Sequence, residues 1–309
     1  MLNRISSLAR GLFIRDSASR SARHADRNLW HLTLGSFTEC KTLIEAHAEE
    51  FHQRRLLESR LEEQLGEDEQ GILAGECWVC STTREFLYDR NYSDGTHVNW
   101  RERLVCPSCG LNNRLRLCAQ LIERLAPRGS SLYLTEQVTA LASRLSRRYR
   151  KLAKSEYLGD DLVSGSVDAR GIRHEDVTAL SFRDQSFDYV LSFDVLEHVP
   201  DYRKALAEFR RVLKDDGGLV LSVPFALLSE KNIVRARIGS DGEVEHLLAP
   251  EFHGDPVDPH GGILCYYHFG WQLLDELEAA GFRGARIEAY WSLEYGHIGD
   301  EQLVIVATR

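Results

Sequence analysis

Apolar positions along this chain change their period, and the changes divide it into parts. From Thr38 to about Leu65, Leu43, Ile44, Phe51, Leu56, Leu57, Leu61 and Leu65 recur at helical spacing among charged residues, which predicts an amphipathic helical segment. That segment either packs on the rest of the chain or pairs with a second copy, and the pattern does not choose. The acidic, glycine-bounded stretch 66–71 reads as a linker. A helix is expected over Asn113–Leu125, stopped by Pro127 and Gly129. From Ser131 onward short apolar runs alternate with helical patterns, as in a doubly wound parallel sheet. The runs predict strands near Leu132–Thr135, Leu152–Tyr157, Ile172–Val177, Tyr189–Phe193, Leu219–Val223, Ala285–Tyr290 and Gln302–Ala307. Helices are expected near Val138–Arg150, Tyr202–Leu213 and Trp271–Ala280, with Asp215-Asp216-Gly217-Gly218 as a tight turn. The expected fold class is therefore α/β: a seven-stranded, doubly wound sheet whose last two strands make an antiparallel edge. Three parts follow: a tail and helical segment over 1–70, a cysteine module with its connecting helix over 71–125, and the α/β domain over 126–309.

Composition narrows the partners. The 309 residues are 43% hydrophobic and 28% charged with a net charge of −9, so a packed globular protein is expected and nucleic acid is not expected as a whole-surface partner. No run is apolar enough for a membrane span, and a cytoplasmic location is expected. The basic run Arg144, Arg147, Arg148, Arg150 and Lys151 reads as a solvated helix face or a local contact site. The arginine- and serine-rich first 28 residues read either as a tail or as a targeting segment.

Four of the seven cysteines fall in two pairs, Cys77-Trp-Val-Cys80 and Cys106-Pro-Ser-Cys109, separated by 25 residues. Two residues between paired cysteines let both thiolates reach one tetrahedral ion, so a structural zinc site at Cys77, Cys80, Cys106 and Cys109 is expected ahead of four metal-free thiols. A small hairpin through Asn91–Gly95 would join the pairs. Cys40, Cys118 and Cys265 have no such spacing and read as ordinary core thiols.

The segment from Asp176 through Leu180-Ser-Phe-Arg-Asp-Gln-Ser-Phe-Asp-Tyr-Val190 to Val195-Leu-Glu-His-Val-Pro-Asp201 resembles the third- to fourth-strand region of class I S-adenosylmethionine-dependent methyltransferases. Arg211-Val-Leu-Lys-Asp-Asp-Gly-Gly218 is similar to that family's turn before the fifth strand, with Asp215-Asp216 where proline is usual. The likeness covers Ser131 to Arg309 and implies a Rossmann-like sheet that binds S-adenosylmethionine at its strand tips. It departs from the family after the first strand: Leu132-Tyr-Leu-Thr-Glu-Gln-Val-Thr139 carries no glycine, and is similar to a variant first-loop subgroup. By resemblance Thr135 and Glu136 face the cofactor's amino group, Glu156 the ribose hydroxyls, Asp176 and Val177 the adenine, and Phe193 also lines the site. His198 is implied as a general base or as part of the scaffold.

The long polar stretch Glu245–Pro256 is expected to fold over the strand ends as an acceptor-binding loop, with His246, Glu251, His253 and Asp255 as substrate residues. Those side chains also permit a second metal site, though their spacing matches no ligand pattern. Tyr266, Tyr267, His268 and Trp271 form either an aromatic wall or the lead-in to a helix. The reading is methyl transfer to an oxygen or nitrogen of a small or medium acceptor, such as a sugar or natural-product intermediate. The alternative is a non-catalytic, zinc-containing binding protein on a degenerate methyltransferase fold. A third reading has Arg101, Arg103, Arg114 and Arg116 gripping nucleic-acid phosphates. A homo-oligomer through the N-terminal helix is the one assembly the sequence suggests.

Overall fold

A computed structural model describes residues 29–66, 69–93, 96–257 and 261–309. The arginine-rich tail, the middle of the linker and the tip proposed for the 91–95 hairpin lie outside the described residues. The described residues form two compact units, one made of 29–33, Thr42–Leu121 and Glu288–Gln302, the other of Leu34–Lys41, Ile122–Ile287 and Leu303–Arg309.

The second unit is the expected doubly wound α/β fold. Its parallel strands are β4 (Ser131–Leu134), β5 (Lys151–Lys154), β6 (Phe187–Phe193) and β7 (Leu213–Ser222), with β4 between β5 and β6. Leu132, Tyr133, Leu134, Val190, Leu191, Leu219, Val220 and Leu221 are fully buried, which is why these strands read as unbroken apolar runs rather than alternating ones. Helix α5 (Ala140–Arg148) turns Leu141 and Leu145 inward, α6 (Tyr202–Val212) buries Ala205, Leu206 and Phe209, and α7 (Gln272–Ala279) buries Leu273 and Leu277. Two long C-terminal strands, β8 (Arg283–Ser292) and β9 (His297–Thr308), complete the sheet with β1 (Trp30–Leu34), in the order β1-β8-β9-β7-β6-β4-β5. Strand β9 runs antiparallel to β7.

Three expectations need correction here. The segment Ile172–Val177 makes only isolated bridges, Glu156 to His174 in parallel and Val167 to Arg173 antiparallel. Its interior residues are Arg173, His174, Glu175 and Asp176, too polar to sustain a ladder, and His174 is shared with the turn at Gly165 and Ser166. The seventh strand is instead β1, whose short Trp-His-Leu-Thr-Leu run precedes the helical segment. The tight turn at Asp215–Gly218 is a bulge inside β7, where Phe187 pairs with Leu213 and Tyr189 already pairs with Gly218.

The first unit contains α2 (Ala48–Glu62), which follows α1 (Phe37–Ala46) after a break at His47; one continuous helical pattern is thus two helices. A hairpin of β2 (Gly71–Cys77) and β3 (Thr82–Tyr88) turns through the first cysteine pair itself, not between the pairs. The short α3 (Trp100–Arg103) and then α4 (Asn113–Leu125) follow. Helix α2 buries Arg54, Glu58 and Glu62 beside Phe51 and Leu61, and these charges find partners inside the unit. Glu62 accepts hydrogen bonds from Val98 N at 2.8 Å and Trp100 Nε1 at 3.1 Å. Arg54 lies 4.2 Å from the Trp30 ring centre. No described helix is long and apolar enough to cross a membrane.

Candidate functional site

Open parallel sheets bind ligands beyond the carboxyl ends of their strands, and buried polar residues of the second unit gather there. Thr135 N continues the β4 pairing by donating to Leu191 O at 3.0 Å. The glycine-free loop that follows is held by side chains. Glu156 Oε1, just past β5, accepts from Gln137 N at 2.6 Å and Val138 N at 2.9 Å. Gln137 in turn donates to Gly171 O at 2.8 Å and accepts from Arg173 N at 3.0 Å. Thr139 caps α5 by accepting from Ala142 N at 3.1 Å and donates to Glu136 Oε1 at 2.8 Å. A loop that glycines usually leave bare is here fixed by two carboxylates, a threonine and an amide.

Burial pushes the Glu156 carboxyl upward, the two loop amides pull it down, and nearby Asp255 raises it again. Asp176 Oδ1 accepts from Thr178 N and Thr178 Oγ1, both at 2.8 Å, and so closes its own turn. Glu156 Oε2 and Asp176 Oδ2 take no hydrogen bond from a described residue, which leaves each acid one oxygen for a ligand. Val177, next to Asp176 in sequence, and Phe193, at the end of β6, are buried.

Beyond β6, Glu197 and His198 form a short helical turn over Leu196–His198. His198 Nδ1 lies 2.8 Å from Leu264 O. A carbonyl only accepts, so Nδ1 carries the proton and Nε2 keeps a lone pair. Glu197 is fully buried, and neither carboxylate oxygen has a hydrogen-bond partner among the described residues. His253 Nδ1 and His198 Nε2 approach its Oε1 at 3.7 and 3.8 Å. Burial drives Glu197 toward its protonated form, with Asp194 adding to the push and His253 and His198 opposing it. Cys265, the Glu197 carboxylate and Glu251 push His253 up to about 11 against its burial. Glu251 Oε1 accepts from His253 Nε2 at 3.0 Å and His268 Nε2 at 2.9 Å, and Arg235 pairs with its Oε2 at 3.0 Å. Burial opposes ionisation of Glu251, but these three partners outweigh it and hold its pKa low. Burial likewise opposes ionisation of Cys265, yet His253 and His268 bring that thiol's pKa down.

The structure thus brings Glu251 and His253 to His198 and sets Asp255 near Glu156. His246 is exposed in a short strand pair with Ala236, away from this cluster. Tyr267 and Trp271 donate to Pro200 O and Leu227 O at 2.7 and 2.8 Å; they are the lead-in to α7, not a free wall. Sequence reasoning passed over Glu197, Cys265 and His268 as members of the cluster. Only the adjacency of Glu197 to His198 hinted at it.

In the first unit the four paired cysteines converge. Cys77 Sγ is 3.9 Å from Cys109 Sγ, Cys80 Sγ is 3.8 Å from Cys106 Sγ, and all four sulfurs lie within 4.8 Å of one another. A tetrahedral ion with bonds of ~2.3 Å sets its sulfurs ~3.8 Å apart, so the set fits zinc. The buried Arg116 guanidinium donates to Tyr295 O, Leu104 O and Gly296 O and stacks 3.9 Å from the Phe86 ring centre. Burial lowers its pKa to about 10, and negative charge on the four cysteines works against that. A buried cation beside four sulfurs matches thiolates holding a metal better than neutral thiols. The four arginines named for phosphate contact all have protein partners. Arg101 and Arg114 bind Glu102, Arg103 binds Asp89, and Arg116 is spent on carbonyls.

Parallel strands in this order, with a capped helix after the first loop, make a Rossmann-like α/β domain. Residues 120–221, about a third of the chain, match the family model described as a methyltransferase domain. An uncharacterized protein of Methanocaldococcus jannaschii is 40% identical over 67 residues, which are 22% of this chain and 28% of that protein. The chain therefore matches little more than a quarter of that curated relative. Among solved structures, an S-adenosylmethionine-dependent methyltransferase from Mesorhizobium loti is 16% identical and covers 63% of this chain and 98% of its own, with a TM-score of 0.40. A Burkholderia thailandensis 1,6-didemethyltoxoflavin-N1-methyltransferase with bound S-adenosylhomocysteine is 18% identical over 63% of this chain and 78% of its own, with a TM-score of 0.37.

Proposed function

We propose that the chain is a methyltransferase that uses S-adenosylmethionine to methylate an oxygen or nitrogen of a small or medium acceptor, such as a sugar or natural-product intermediate. The observation that carries this reading is the pair of acids, Glu156 just past β5 and Asp176 just past the isolated bridge at His174, each with one oxygen holding a loop and one without a hydrogen bond from a described residue. Glu156 would receive the ribose hydroxyls and Asp176, with the Val177 amide, the adenine. Glu136 and Thr135 would face the amino group, and Phe193 would line the site. When bound, the cofactor supplies an electrophilic methyl group on its sulfonium. The chain's own part is to align the acceptor and remove its proton. His198, with Nδ1 tied to Leu264 O, holds its Nε2 lone pair ready for that proton unless an ion takes it first. Glu251, His253 and Asp255 belong to the acceptor side, and the cysteine set would hold a structural zinc with no open position.

Calorimetric titration with S-adenosylmethionine tests this. The zinc-replete protein should bind in the micromolar range, and Glu156→Ala should weaken binding at least tenfold. The second reading, a non-catalytic binding platform, draws on one observation: Glu156 already holds the amides of Gln137 and Val138. Absence of any heat of binding in the wild type would favour it.

A further inference from the structure

We infer that Glu197, His198 and His253 form a second metal site, for a divalent cation of the zinc type. This goes beyond the methyltransferase reading and does not rest on it.

Three electron-pair donors converge with nothing between them. The carboxylate oxygens of Glu197 are fully buried and accept no hydrogen bond from a described residue. A buried carboxyl group with no hydrogen-bond partner is costly, and a bound cation would relieve that cost. The imidazoles are turned to supply the rest of a ligand set. His198 Nδ1 donates to Leu264 O at 2.8 Å, which leaves Nε2 facing Glu197 Oε1 at 3.8 Å. His253 Nε2 bonds Glu251 Oε1 at 3.0 Å, which leaves Nδ1 facing the same oxygen at 3.7 Å. All three ligand atoms lie within 4.8 Å of one another. Around an ion with bonds of ~2.05 Å a tetrahedral pair sits ~3.3 Å apart, so the two carboxylate–imidazole pairs stand a few tenths of an ångström wider than a bound ion would set them.

The surrounding shell is the one that metal-bound histidines use, in which the distal ring nitrogen is anchored by a carbonyl or a carboxylate. Glu251, Cys265 and His268 also stand close enough to hold an ion. Glu251, however, is already saturated by His253, His268 and Arg235, and Cys265 Sγ donates to Tyr267 O at 3.3 Å. That second trio has no orphaned atom and serves as the outer layer. Asp194, whose Oδ1 accepts from Ser222 Oγ at 2.8 Å, adds negative charge nearby. Two nitrogens and one oxygen suit a borderline divalent ion and leave a coordination position open. At the tip of β6 that position would take water or an acceptor's oxygen. His198 Nε2 would then be a ligand and would not also take the acceptor's proton.

The full chain is dialysed to equilibrium against zinc, and bound zinc is counted by elemental analysis. Wild type should hold one more zinc per chain than Glu197→Gln. His253→Gln, at a partly exposed position, should show the same loss and covers the case in which the buried Glu197→Gln fails to fold. Cobalt gives an independent readout. The equivalent lost in these variants should contribute only weak ligand-field absorption, while the thiolate charge-transfer bands of the cysteine set stay unchanged. Equal zinc contents in wild type and a folded variant would overturn the site. Zinc counting needs no S-adenosylmethionine, so this outcome is separate from failure of the methyltransferase reading.

Discussion

The two units bury polar side chains in opposite ways. In the first, Arg54, Glu58, Glu62, Asn113, Arg116, Gln120 and His297 are buried together with the cysteines. Although Arg116 Nε and Gln120 Nε2 have no hydrogen-bond partner among the described residues, many of their polar atoms bond within the unit. His297, for example, sits 2.9 Å from Asn113 Oδ1 and 3.1 Å from Gln120 Oε1. In the second, the strand interiors are apolar and buried polar residues such as Thr135, Glu136, Ser155, Glu156, Glu197 and Ser222 collect at the carboxyl tips. A unit whose interior is a polar network depends on each partner, because one missing member leaves the others unpaired. A unit with an apolar interior tolerates change and keeps its unsatisfied groups where a ligand can meet them.

The largest expected effect comes from breaking the cysteine set. Cys106→Ser, or chelation of the wild type, should remove metal-linked stability on the order of 10 kcal/mol from the first unit at saturating zinc. Calorimetry should show a transition that chelator abolishes and zinc restores, with a second transition little changed. A melting profile indifferent to chelator would mean that the four sulfurs carry no structural ion. Next is Arg116→Met, which removes the buried cation and strands three carbonyls. It should cost about 3–5 kcal/mol in chemical unfolding and weaken zinc retention, while Arg116→Lys should recover part of both. If Met is tolerated without loss, the charge balance between guanidinium and thiolates is not what holds the unit.

The matching cut in the second unit is Leu191→Ala, at a fully buried position of β6. It should cost about 2–5 kcal/mol by transfer and cavity creation and leave zinc content untouched. Loss of zinc from this variant would erase the contrast drawn between the units.

How legible each region was follows the same division. The cysteine pairs declare themselves because the ligand geometry is local, two residues apart, and α6 because Ala205, Leu206 and Phe209 repeat at helical spacing. Strand β1 was missed: five residues with two exposed polar positions are too few to establish a period. The strand expected at Ile172–Val177 was misread because apolar ends enclose a polar middle. The domain's family was legible from the Asp176–Asp201 segment, and residues 120–221 match it. The Glu197, His198 and His253 grouping was not legible, since a long loop returns across the strand tips to make it and no sequence interval encodes that return. Glu156 illustrates the middle case. Its position after β5 could be read, but its hold on the amides of Gln137 and Val138 depends on the path of a loop without glycine.

The smallest effect sharpens the comparison by testing a polar group of the second unit away from those tips. Asp188, at the start of β6, accepts from Ser131 N and Ser131 Oγ at 2.6 and 2.7 Å and from Lys214 Nζ at 2.9 Å. Burial raises its pKa, but the Ser131 bonds and Lys214 outweigh it, and the folded pKa lies below the usual carboxylate value. The unfolded chain therefore binds more protons between the folded pKa and the ordinary ~3.9 of aspartate. The stabilisation is complete above that ordinary value and is lost as pH falls through the folded one. Because the pair is more than a third exposed, solvent screening limits it to about 0.5 kcal/mol. Asp188→Asn should lower the urea midpoint slightly at pH 7, and the gap from wild type should close below about pH 3. A gap that persists in acid would show that the contribution comes from hydrogen-bond geometry rather than charge, and a loss of several kcal/mol at pH 7 would show that this unit, too, leans on its polar pairs.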